Sequence, residues 1–261
     1  MTYSNKKSNK RDNQSKENEI IYGKHPVLSF LESDEAINKL YLQKGIAGAA
    51  ISDILKLVKE NGFVIQEVPK SKLDELTGGK NHQGAVATIP SYPYSELSDI
   101  FELAEARQAA DPFILILDGI EDPHNLGSII RTADAMGVHG IIIPKRRSAS
   151  LTGVVAKVAA GALQHVPVVR VTNLAQTIQT LKERGVWIFA TEMDGEDIRQ
   201  WNSSGSIAII IGNEGQGVSR NLLDKADGII TIPMVGHVQS LNASVATGMV
   251  VYEVARHRIE K

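Results

Sequence analysis

Ile207-Ala-Ile-Ile-Ile-Gly-Asn-Glu-Gly-Gln-Gly217 is the stretch on which the reading of this chain turns. An apolar run with no polar alternation marks a strand buried on both faces, as in a parallel sheet covered by helices. The glycine turn that follows it stands where open α/β sheets bind ligands. A second stretch has the same build. Ile229-Ile-Thr-Ile-Pro-Met-Val-Gly-His-Val-Gln-Ser-Leu-Asn-Ala-Ser244 sets a Gly/Ser/Asn loop against another apolar run. A third loop, Asp118-Gly-Ile-Glu-Asp-Pro-His-Asn-Leu-Gly127, opens the same half of the chain.

Outward from these loops, strand and helix alternate. Short apolar strands are expected at Phe113–Leu117, Gly140–Ile143, Val166–Val171, Val186–Ala190, Ile207–Ile211 and Ile229–Ile232. Helices fall between them, near 126–136, 151–161, 174–184, 218–224 and 242–257. Such alternation predicts an α/β fold, a parallel sheet with helices on both faces, over residues 112–261. Residues 19–90 read as a separate small α/β unit. It has a helix after Gly23-Lys-His-Pro26, a strand near Lys39–Gln43, and strands at Phe63–Val68 and Gly84–Ile89. Between them, Ile51, Ile54, Leu55, Leu57 and Val58 fall at helical spacing within Ala50–Glu60. Pro90-Ser-Tyr-Pro-Tyr-Ser95 is a linker signal, because two prolines disfavour helix and central strand alike. Residues 91–111 are read as that linker, with a polar helix over Glu96–Gln108. Residues 1–18 hold almost no apolar side chains and are expected to be a disordered basic tail.

Bulk composition excludes several classes. A chain of 261 residues with 43% hydrophobic and 22% charged residues has the make-up of one large or two small globular domains. No apolar run is long enough for a membrane span, and the polar N-terminus lacks a signal-peptide core. Cysteine is absent, which removes disulfides, cysteine-ligated zinc and thiol nucleophiles, and fits a cytoplasmic protein. The net charge of −2 gives no overall attraction to nucleic acid. Residues 1–16 differ, with Lys6, Lys7, Lys10, Arg11 and Lys16 against Asp12 alone. A solubilising extension is the first reading of this stretch, and approach to a phosphate backbone the second.

The chemistry-bearing residues sit in the three loops. Gly212 to Gly217 has glycines as G-x-x-G-x-G, neither the dinucleotide spacing nor a Walker loop. Glu214, lodged among turn glycines, wants a partner such as an arginine. Arg131 offers one: Asp122-Pro123 starts a turn, Gly127 is taken to open a helix, and Arg131 falls in its second turn. An arginine so placed is also what a snorkelling surface residue looks like. Ser240 and Asn242 precede an Ala/Val-rich stretch, where they can cap a helix, hold a substrate hydroxyl, or both. The histidines are scattered with no metal-ligand spacing, so no metal site is expected. No G-x-S-x-G nucleophile motif occurs.

Taken in order, the three loops resemble the signature motifs of the SpoU/TrmH family of RNA ribose 2′-O-methyltransferases. The motifs are Asp122-Pro-His-Asn-Leu-Gly-Ser-Ile-Ile-Arg-Thr-Ala133, then Ile-Gly-Asn-Glu-Gly-Gln-Gly-Val218, then Ile-Pro-Met with Ser240-Leu-Asn-Ala-Ser-Val-Ala246. Residues 19–90, with Tyr22-Gly-Lys-His-Pro-Val27 and His82-Gln-Gly84, are similar to the family's small RNA substrate-binding domain, a fold like ribosomal protein L30. The resemblance implies S-adenosylmethionine as methyl donor, RNA as substrate, a homodimer, and a SPOUT-like sheet whose C-terminal segment forms a trefoil knot. It implies catalytic roles for Asn125, Arg131, Glu214, Ser240 and Asn242. It implies a donor pocket lined by Thr191, Gly212, Ile232 and Leu241, largely through backbone groups. A guanosine of 23S ribosomal RNA is the expected target, with transfer RNA the alternative.

The reaction sets its own requirements. A ribose hydroxyl must lose a proton as it attacks a methyl group carried on a sulfonium, and in-line positioning lowers that barrier. A guanidinium stays protonated, so Arg131 is expected to hold the 2′-oxygen and stabilise its developing charge while a phosphate or water takes the proton. Glu214 is expected to orient Arg131 or a neighbouring donor, with Asn125, Ser240 and Asn242 fixing the hydroxyl and the loops. Lys145-Arg146-Arg147 offers a positive edge to RNA, or a solvated turn. Two other classes stay open: a non-catalytic RNA-binding dimer and a nucleotide-dependent oxidoreductase. The coexistence of the motif residues opposes the first and the glycine spacing opposes the second.

Overall fold

Pleating and burial on both faces organise the larger of two sheets. The computed structural model describes residues 20–32, 37–90, 92–108, 111–238 and 240–259. The expected basic tail lies outside them. The N-terminal unit runs β1 (Ile20–Tyr22), α1 (Lys24–Glu32), β2 (Lys39–Gln43), α2 (Ala49–Glu60), β3 (Ile65–Val68), α3 (Lys70–Thr77) and β4 (Ala85–Thr88). Its sheet has the order β1-β4-β2-β3, with β2 and β3 parallel and the other pairs antiparallel. Leu40 and Leu42 alternate inward from β2 and meet Ile51, Ile54 and Val58 of α2, one face of a helix at its natural period.

The C-terminal unit begins with α4 (Leu97–Ala106), β5 (Phe113–Asp118), α5 (Pro123–Ala135), β6 (Gly140–Pro144), α6 (Gly153–Ala159) and β7 (Val168–Val171). It continues with α7 (Leu174–Glu183), β8 (Trp187–Asp197), β9 (Ile207–Gly212), α8 (Arg220–Leu223), β10 (Gly228–Thr231) and α9 (Ala243–Ile259). The six strands are parallel in the order β10-β8-β9-β5-β6-β7. Alternate residues serve opposite layers. Leu115, Ile141 and Ile209 pack under α5, α6 and α9, whereas Ile114, Ile142 and Ile210 pack under α4 and α7. Ile100 of α4 is fully buried in the second layer, so the stretch read as a linker contributes a covering helix to the sheet.

The two units meet through polar contacts. Arg170 donates to Asn38 Oδ1 at 3.2 Å and to the Ile37 carbonyl at 2.7 Å, and its guanidinium lies over the Tyr94 ring. The Tyr94 hydroxyl donates to the same Asn38 oxygen and accepts from Leu151 N, both at 3.1 Å. Lys145 corrects an expectation. Its Nζ donates to the Asn61 carbonyl at 2.6 Å and sits over the Phe63 ring, facing the N-terminal unit rather than an open RNA edge. Burial, and then the charge of Arg170, hold its ammonium below the usual lysine range. Arg146 and Arg147 are exposed.

Candidate active site

The chain enters the large sheet at β5, builds outward to β7, and returns to place β9 on the other side of β5. Reversals of this kind open a crevice beyond the carboxyl ends of the strands. The loops after β5 and β9 meet there.

Asp122 caps α5 by accepting from His124 N at 2.9 Å, so the helix begins at Pro123 and not at Gly127 as expected. Proline suits a first helical position, where its missing N–H is no loss. Gly127 instead lets α5 approach α6: a Cβ there would lie 2.6 Å from Val158 Cβ. Arg131 consequently falls in the third turn, exposed to solvent. Among the described residues it has no hydrogen bond or ion pair.

After β9 the chain doubles back tightly. Asn213 N donates to Gly217 O at 3.1 Å and Gly217 N to Asn213 O at 2.8 Å. A Cβ on Gly212 would overlap the Gly217 backbone, and Gly217 has φ +66. These two glycines are required by the turn itself. Asn213 joins the loop to its neighbour, donating to the Gly119 carbonyl at 2.8 Å while accepting from Gly215 N. Asp118 accepts from Ser219 N at 2.8 Å, tying the end of β5 to the start of α8.

A line of amides connects all three motif loops. Asn242 Nδ2 donates to Asn125 Oδ1 at 2.9 Å, and Asn125 Nδ2 donates to Glu214 Oε1. Each partner fixes the orientation of the next amide. Asn125 is buried, whereas Glu214 stands exposed at the rim. Asn242 also caps α9, its Oδ1 accepting from Ser244 N at 3.0 Å and from Val245 N at 3.3 Å. The partner expected for Glu214 is thus the neighbouring donor, Asn125, and not Arg131.

Beside this line lies a cavity of about 410 Å³. Thr191, Gly212, Ile232 and Leu241 all line it, together with Glu214 and Ser240. Its apolar wall comes from Ile211, Ile230, Ile232, Leu241, Ala243 and Ala246, and its polar rim from Glu192 and residues 213–217. An apolar slot with a few rim acceptors and backbone amides fits a nucleoside carrying a charged tail, which is the make-up of S-adenosylmethionine. The Thr191 hydroxyl donates to the Ile210 carbonyl at 3.0 Å. Sequence reasoning singled out neither Asn213, Asp118 nor Glu192. The first two carry a legible signal, a short polar side chain at a strand end beside a glycine.

Both units of the chain are similar to known proteins. Residues 112–252 match the SpoU rRNA Methylase family, and residues 20–95 match the family described as RNA 2′-O ribose methyltransferase substrate binding. A Bacillus subtilis (strain 168) protein assigned to the TrmH family of tRNA/rRNA methyltransferases is 46% identical, over 94% of this chain and 98% of its own length. Among solved structures, an AdoMet-bound rRNA methyltransferase from Sinorhizobium meliloti is 25% identical with a TM-score of 0.56, covering 94% of this chain and 88% of that one. The A. aeolicus TrmH/SpoU tRNA modifying enzyme is 32% identical with a TM-score of 0.53, covering 63% of this chain and 86% of that one. The chain therefore belongs to the SpoU/TrmH family and is an S-adenosylmethionine-dependent RNA 2′-O-ribose methyltransferase.

Proposed function

We propose that the chain methylates a guanosine ribose of 23S ribosomal RNA in the cytoplasm, using the cavity as the donor site. The observation that carries the assignment of the site is the line Asn242–Asn125–Glu214, which holds three loops distant in sequence at one cavity mouth. Ribosomal RNA is favoured over transfer RNA by the domain pattern. The rRNA methyltransferase structure covers both units of this chain, whereas the tRNA modifying enzyme covers 63% of it.

The bound donor supplies an electrophilic methyl group on a positively charged sulfonium. The chain's residues do the rest. Arg131, unpaired among the described residues, is free to hold the 2′-oxygen and stabilise its developing charge. Glu214 has one oxygen engaged by Asn125, which leaves the other to accept from the ribose. Asn125 and Asn242 keep that carboxylate in place, and Ser240 offers a hydroxyl at the rim. The N-terminal unit grips RNA by shape and backbone, as ribosomal RNA recognition away from single-stranded bases requires.

A homodimer and a trefoil knot belong to the same reading. Val245, Met249 and Tyr252 of α9 are 52%, 45% and 57% exposed at spacings that form one apolar stripe. A second copy of the chain would cover it. For the knot, β10 pairs at the outer edge beside β8, yet α9 packs on α5 across the sheet. The intervening segment must cross the ends of β8 and β9. Mapping 2′-O-methyl sites by mass spectrometry in RNA from cells with and without the gene tests the assignment. One 23S guanosine should lose its methyl group; loss confined to transfer RNA would refute the rRNA reading.

A further inference from the structure

The pairing of β8 with β10 is broken. Ile229 faces Ala190, but the next residue, Ile230, faces Glu196. Residues 191–195 are therefore pushed out of the ladder, in the manner of a bulge that re-aims side chains beside a site. Gly195 permits the close approach, since a Cβ there would lie 2.7 Å from the Ile230 carbonyl carbon. The outcome is that Thr191, Glu192 and Met193 reach the cavity wall.

Of these, Glu192 carries chemistry not yet used. Its Oε1 lies 2.5 Å from where a Gly217 Cβ would stand, so glycine makes room for the carboxylate. Oε1 accepts from Val218 N at 3.4 Å and Oε2 from Met193 N at 3.3 Å. Both bonds are long, and both oxygens keep spare acceptor capacity. The cavity's other carboxylate, Glu214, is engaged by the Asn125 side chain. Among the described residues no side chain engages Glu192.

Its position decides what it reads. β9 lies between β8 and β5. The line through Asn125 stands on the β5 side, where RNA must meet the methyl group, and Glu192 stands on the β8 side. Two arms of the donor lead from the sulfonium away from the reacting methyl, the amino-acid tail and the nucleoside, and the diol is found on the nucleoside. Its ribose presents two adjacent O–H donors, which the two oxygens of one carboxylate can accept together. We propose that Glu192 is a specificity-determining acceptor for the ribose diol of S-adenosylmethionine. The proposal rests on the cavity being the donor site.

Isothermal titration calorimetry on the full chain tests both statements separately. Glu192→Gln should bind S-adenosylmethionine and S-adenosylhomocysteine equally less well, each by about tenfold, as loss of a charged acceptor predicts. The wild type should bind the 2′,3′-dideoxy form of S-adenosylhomocysteine about tenfold less well than the parent, and Glu192→Gln should add no further loss. Unchanged affinity in the variant overturns the proposal. So does a loss confined to S-adenosylmethionine, which would mean that the acid reads the sulfonium charge, or a further loss with the dideoxy compound. Leu241→Arg fills the cavity and should abolish donor binding. Normal binding by that variant would overturn the cavity assignment and the proposal with it.

Discussion

Asn242 shows how one side chain serves fold and chemistry together. Its oxygen accepts from Ser244 and Val245 at the start of α9, and its NH₂ group donates to Asn125. Asn242→Asp keeps the acceptor, removes the donor, and sets a carboxylate oxygen against the Asn125 carbonyl. It should cost less than about 1 kcal/mol of stability, because the cap survives, yet reduce methyl transfer at least about tenfold. Asn242→Ala loses the cap too and should cost about 1–2 kcal/mol. Urea unfolding beside a methyl-transfer assay separates these effects; activity that merely tracks stability in both variants would reduce Asn242 to a cap. The sequence left capping and hydroxyl binding open for Ser240 and Asn242. Asn242 caps, while Ser240 lines the cavity, a difference of position within one loop that residue type alone does not encode. For Glu214 the sequence left Arg131 and a neighbouring donor open, and the fold selects the donor, Asn125.

Among the elements, the six strands of the large sheet were legible because each centres on a short apolar run rich in β-branched residues between turn signals. What escaped follows from composition. The outer part of β8 reads Thr-Glu-Met-Asp-Gly-Glu-Asp, residues that suggest a loop, and 191–195 indeed stand outside the ladder with β10. The strand β1 has three residues, too few for a period, and α3 buries only Leu73 and Thr77. Helix α4 was expected over Glu96–Gln108, but its charged face hid the stripe that carries Ile100 and Ala104 into the core. Close packing of α5 on α6 depends on Gly127, where a Cβ would also lie 2.9 Å from the Val155 carbonyl. Backbone cannot yield as a flexible side chain does. Gly127→Val should therefore destabilise the fold by more than about 2 kcal/mol in thermal or urea unfolding, the range of overpacked cores. A neutral effect would mean that α5 and α6 separate at little cost.

The whole molecule joins the unit that matches the substrate-binding family to the unit that matches the methylase family through Asn38, Tyr94, Lys145 and Arg170. No periodicity foretells those contacts, because they link residues more than fifty positions apart. Strand order was equally hidden, because hydropathy does not say which strands pair. The exposed stripe of α9 belongs to this scale as well. Met249→Asp or Tyr252→Asp should convert a dimer to a monomer in sedimentation velocity, since a charge in a closed apolar interface has no partner. A wild type that sediments as a monomer would contradict the dimer. The central claim is that the loops around Asn125, Arg131, Glu214 and Asn242 form a 2′-O-methyl transfer site. Its most direct test pairs donor calorimetry with mass-spectrometric detection of 2′-O-methyl product for the Arg131→Ala variant. Donor affinity should stay within about twofold of wild type while methyl transfer falls by about a hundredfold or more; near-normal turnover in that variant would contradict the account.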